Sequence, residues 1–147
     1  MTDASHDYAV IARRMLLYAS PGEHTAPACA ISAVSLLERF QRRLAPLIGA
    51  EGMRALFARA IKVTDADFAA FARLRVATLE ETAGINLPEA LADALNGMDS
   101  ATAWKAAEAL YTNFLELTAS LIGERLVSLV LKRAFPKLDV FAKQESE

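Results

Sequence analysis

The chain writes Leu-Ile-Gly twice, at residues 47–49 and 121–123, each time within a stretch that otherwise has helical spacing. In both places a phenylalanine stands seven residues before the leucine, and an Arg-Ala pair begins ten residues after the glycine. The first copy has Phe40, Gly49, Arg59 and Ala60; the second has Phe114, Gly123, Arg133 and Ala134. The constant offset of 74 also sets Ala33 over Ala107 and Leu36 over Leu110, and it keeps apolar pairs such as Met53 with Val127 and Phe57 with Leu131. Composition alone supplies some matches in any Leu- and Ala-rich chain, but not the spaced run around each glycine. A helix that ends on Leu-Ile and meets a residue free to adopt positive φ can turn a corner there. The pattern predicts two pseudo-symmetric helix–Leu-Ile-Gly–helix repeats, residues 27–63 and 101–136, each an αα-hairpin or an L-shaped pair with a left-handed glycine; for the second, one continuous helix over 101–135 kinked at Gly123 is the alternative.

The remaining segments read as helix too. Residues 7–19 carry Val10, Ile11, Met15 and Leu17, with Arg13 and Arg14 on a polar edge. The SPGEHTAP stretch then breaks the pattern. Pro27 suits the first turn of a second helix that runs to about Ala45 and carries Ala30, Ala33, Val34, Leu37, Phe40 and Leu44 at three- and four-residue steps. Pro46 is expected to end or kink it. A third helix follows Gly49, with Met53, Leu56, Phe57, Ala60 and Ile61 on one stripe. A fourth starts at Thr64 or Asp65, carries Phe68 and Phe71, and ends near Gly84. A short fifth spans Pro88 to Gly97. A sixth runs from Ala101 to Ile122 behind Asp99 or Ser100, and a seventh covers residues 124–135 before Pro136. No segment alternates with period two, so the expected fold is all-α: one domain over residues 1–147, a bundle of six to seven helices with a tail at 137–147.

Composition limits what such a bundle does. With 54% apolar and 23% charged residues the chain is not of the disordered class. A net charge of −2 sets it apart from proteins that live by neutralising nucleic-acid phosphates. The basic turn Arg39, Arg42 and Arg43, beside Glu38, then reads as a solvated helix face. Cys29 is the lone cysteine, so no intrachain disulfide forms. The longest uncharged run, residues 24–37, is shorter than the ~18 residues a membrane span requires. A cytoplasmic protein without a membrane span is expected.

Catalytic groups are sparse. His6 and His24 have no second histidine at ligand spacing, and Cys29 with Glu23 does not complete a metal set. Cys29, in ACAIS, reads as a small buried hydrophobe rather than a nucleophile. GAEGMR lacks the lysine and the preceding strand of a phosphate loop, and no Glu-x-x-His pair marks a di-iron bundle. Glu51 and Glu124 follow the two glycines and read as first-turn acids that complement the helix dipole. Glu80 and Glu81 read as a solvated helix end. Arg59 and Arg133, the related pair, are expected at helix ends or beside a glutamate. Trp104, Tyr111, Phe114, Phe68 and Phe71 read as core, with a pocket for an apolar ligand as the alternative. The reading leans away from an enzyme and assigns no catalytic, metal or cofactor residue.

The seventh segment is apolar on nearly all sides, leaving Arg125, Ser128 and Lys132 as a narrow polar stripe. A helix of that kind is central in its bundle or covered by a partner. The expected function is therefore an interaction or regulatory module acting through protein contacts, as a homodimer or with another protein. Its alternative is a sensor that binds a small apolar or aromatic ligand between helices. The closing SLIGERLVSLVLKRAFP, with Leu121 to Glu124, Leu126 and Arg133 to Pro136, resembles the C-terminal segment of small all-helical bacterial proteins of unassigned function. That resemblance implies a helical soluble fold and carries no activity.

Overall fold

The computed structural model describes residues 7–20, 22–72, 74 and 87–138. Among them are five helices: α1 Tyr8–Ala19, α2 Ala26–Thr64, α3 Leu87–Asn96, α4 Ser100–Ile122 and α5 Glu124–Ala134. The described residues contain no strand, so the all-α expectation holds for them. The count of six to seven includes the expected fourth helix, most of which lies outside these residues. The expected second and third helices are the two helical stretches of α2, joined at Gly49, which leaves helical geometry (φ 84°, ψ 157°). Pro46 lies inside the helix and does not end it. A proline removes one backbone donor, and the turn around it is held by Leu44 in the core and by Ile48 packed against it. Thr64, expected to cap the next helix, instead ends α2 and donates its hydroxyl to the Ala60 carbonyl (2.7 Å). Most of the expected fourth helix and the end of the tail lie outside the described residues.

Gly123 has φ 93° and ψ 152° and separates α4 from α5. Both glycines have the expected positive φ, but ψ is extended, so neither makes the left-handed α cap that the sequence predicts. The region they occupy is one that essentially only glycine populates. The Gly123 N–H bonds the Ala119 carbonyl, and its own carbonyl accepts from Val127, so one residue closes α4 and opens α5.

The helix starts are set by side-chain caps. Asp7 accepts from the N–H groups of Ala9 and Val10 at the start of α1. Thr25 accepts from Ala28 (3.2 Å) and Asp99 from Thr102 (3.2 Å), each satisfying a donor that the first turn leaves open. Helix α2 packs on α4, α3, α1 and α5, and α1 lies against α4. The first half of α2 and α4 run parallel. Ala26 N–H donates to Ser100 Oγ, the Cys29 thiol lies 3.4 Å from the Ala103 carbonyl, and the Phe40 and Phe114 rings meet at 5.2 Å, each pair separated by 74 residues. Small side chains at this contact (Ala30, Ala33, Ala103, Ala106 and Ala107, all buried) admit the close approach. It brings the Tyr111 hydroxyl to the Ala33 carbonyl at 2.6 Å. Phe40, Phe57, Tyr111 and Phe114 form a contiguous aromatic centre, filled out by Leu36, Leu37, Leu44, Ile61 and Leu110.

Candidate functional site

Helix α5 has two apolar sides. Val127, Val130, Leu131 and Ala134 are buried against the bundle, as a three- and four-residue spacing dictates. Leu126 and Leu129 point the other way and are 38% and 44% exposed; Leu121, at the end of α4, is 60% exposed. Burying a leucine fully is worth roughly 1.5–3 kcal/mol, so solvated leucines on a helix already anchored by its opposite side are surplus to the fold. Arg125, Lys132 and Arg133 are exposed on the same helix.

At its C-terminal end α5 returns alongside the first half of α2. Arg39 donates to the Ala134 carbonyl at 2.6 Å, and its guanidinium lies over the rings of Phe135 (5.0 Å) and Tyr18 (5.8 Å). It thereby takes a carbonyl that the last turn of α5 leaves open and adds cation–π contact. Beside it opens a cavity of about 370 Å3, lined in part by Ser35, Glu38, Arg39, Arg42, Arg43 and Arg133. Arg42, Arg43 and Arg133 are exposed and make no hydrogen bond or ion pair to a described residue. The arrangement can take up negative charge.

The sequence presented these arginines as two unrelated features, a polar turn on α2 and a repeat-related arginine after the second glycine. The structure brings Arg133 to Arg39, Arg42 and Arg43, and leaves Arg59 exposed and outside the cavity. The missing step was the direction in which the chain leaves Gly123. Once α5 folds back along α2, position 133 falls beside position 39.

The other candidates lie apart. Cys29 is fully buried, and desolvation pushes its thiol up to about 12, which keeps it protonated and unreactive. His24 is exposed with its ring 5.7 Å from that of Trp104. His6, Glu80 and Glu81 lie outside the described residues. Glu51 is exposed and Glu124 half-buried on the first turn of α5. No group of His, Cys, Asp or Glu side chains among the described residues could hold a metal ion. Burial raises the hydroxyl pKa of Tyr111, and with Phe114 this tyrosine belongs to the aromatic centre. Phe71 is buried too, next to Phe68 (6.3 Å), while Trp104 is half-buried. These rings pack as core, and none of them lines the arginine cavity. The Asp99 carboxyl is held below its ordinary range by its hydrogen bonds to Thr102.

No described helix is long and apolar enough to cross a membrane. Compared with protein-family models, with curated proteins and with solved structures, the chain matches none.

Proposed function

We infer that the protein is an interaction module whose working surface is the outer side of α5, and that a second copy of the chain covers it. The observation that carries this reading is the exposure of Leu126 and Leu129 on a helix whose opposite side is already buried. An antiparallel pairing of two α5 helices centred between Val127 and Ser128 sets Leu126 of one copy opposite Leu129 of the other, so the exposed leucines cover one another and the twofold arrangement closes. Cytoplasmic location belongs to the same reading, as does the likeness of the closing segment to small all-helical bacterial proteins of unassigned function.

The scaffold that presents α5 is, in this proposal, an internal structural repeat of residues 27–63 and 101–136. Four sets of observations support it at the one offset. The cap bonds Thr25–Ala28 and Asp99–Thr102 correspond, and so do the backbone angles of Gly49 and Gly123. Cys29 meets Ala103, and Phe40 meets Phe114, as residues near a shared axis would. Finally, Arg39 reaches the Ala134 carbonyl, while its counterpart Asn113 reaches Ala60, the counterpart of Ala134, through the Thr64 hydroxyl.

Light scattering over a concentration series tests the function. The expected result is a dimer that L126S/L129S converts to a monomer with unchanged far-UV circular dichroism. A strict monomer, or a dimer indifferent to L126S/L129S, rejects the reading.

A further inference from the structure

We propose that the cavity between α2 and the end of α5 binds a phosphate or pyrophosphate group, carried by a small molecule or a lipid headgroup and gripped by Arg42, Arg43 and Arg133. Its walls set four guanidiniums against one carboxylate, Glu38, in a chain whose formal net charge is −2. Such a concentration of like charge within one Debye length, about 8–10 Å, is repulsive unless an anion joins it.

The four arginines are not equivalent. Arg39 is held by the Ala134 carbonyl and by two aromatic rings, so it ties α5 to α2 and fixes one wall. The other three contribute no bond to the described fold. The opposite corner of the molecule shows that the architecture can be built without Arg42 and Arg43. There, 74 residues on, Arg39, Arg42 and Arg43 are replaced by Asn113, Glu116 and Leu117. Asn113 makes the corresponding tie through Thr64 with no charge involved (2.9 Å). Folding therefore explains Arg39 and leaves Arg42 and Arg43 for another task, with Arg133, which makes no bond to the described fold, on the wall beside them.

The chemistry of the three selects the ligand class. A guanidinium offers a planar fork of donors matched to phosphate and carboxylate oxygens. A single carboxylate would leave most of the positive excess standing, whereas a phosphate monoester or pyrophosphate brings two or more negative charges and enough acceptors for three forks. A volume of about 370 Å3 suits one such group and part of its carrier; ligand pockets run from ~300 to ~1,000 Å3. A nucleic-acid backbone is a poorer match, since it calls for an extended basic track on a basic protein.

Isothermal titration of the full chain at low ionic strength with inorganic phosphate and with pyrophosphate tests the proposal. A parallel arm measures co-sedimentation with phosphatidylcholine vesicles, with and without phosphatidic acid. The expected result is saturable one-to-one binding of the free anion, or sedimentation that depends on phosphatidic acid; the arm that responds identifies the source. R42E/R43L, which installs the residues of the opposite corner, and R133A each weaken binding about tenfold or more. R59A, with equal loss of charge away from the cavity, leaves it unchanged. Circular dichroism melts verify that each variant is folded. Absence of binding in both arms for the natural chain overturns the proposal, and so does a loss in R59A as large as in R133A.

Discussion

Two corners of this molecule turn the chain with nearly the same backbone and then close on the rest of the bundle in different ways. At Gly49 and Gly123 φ is 84° and 93°, and at neither would an added Cβ meet an atom within 4 Å. Beyond Gly123, α5 is tied to α2 by a charged hydrogen bond from Arg39, stacked on Phe135, with three further arginines nearby. Beyond Gly49, the second half of α2 is tied to α4 by a neutral relay, Asn113 to Thr64 to Ala60. The backbone path is shared and the polar closure is not. Each corner carries one polar tie to its returning helix, and the charge around Arg39 exceeds what a tie requires.

Three pairs of substitutions sharpen or break the comparison. The largest effect belongs to the shared centre: F40A and F114A are each expected to cost about 3–5 kcal/mol in urea unfolding. The rings are in contact at 5.2 Å, so the double variant falls short of the sum by at least ~0.5 kcal/mol. Strict additivity would mean that the two positions do not share one packing site.

G49A and G123A come next, each at about 1–3 kcal/mol, because an alanine is forced into a glycine-only region in open space. Equal losses match equal corners. A neutral result at one glycine with a loss at the other would end the equivalence.

The smallest difference separates the two ties. R39M is expected to cost about 1.5 kcal/mol, since a half-buried carbonyl loses a charged donor. N113A is expected to cost about 1 kcal/mol as an ordinary neutral bond. Salt distinguishes them more cleanly than magnitude: raising ionic strength shrinks the Arg39 increment and leaves that of Asn113 in place.

Much of this was readable in advance at particular residues. The three- and four-residue steps of Ala30, Ala33, Val34, Leu37, Phe40 and Leu44 marked the stripe of α2, and all but the half-buried Val34 are buried. Asp99 as a cap and the positive φ of Gly49 and Gly123 followed from residue type. Pro46 misled, because a proline near the end of a helical segment forfeits one bond, and the packing of its neighbours outweighs that loss. Leu17 misled for the opposite reason: Leu16 takes the buried place on α1, and Leu17 is exposed.

The sequence by itself determined the local terms: which segments are helical, where caps and corners fall, and that the two Leu-Ile-Gly stretches turn the chain alike. These depend on neighbours within a few residues, and propensity, capping and glycine's freedom act at that range. Only the tertiary structure decided that α5 folds back along α2. That return leaves Leu126 and Leu129 facing outward, and it gathers Arg133 with arginines ninety or more positions earlier. Contacts of that kind are fixed by how whole helices pack, and local spacing in the chain carries no record of it.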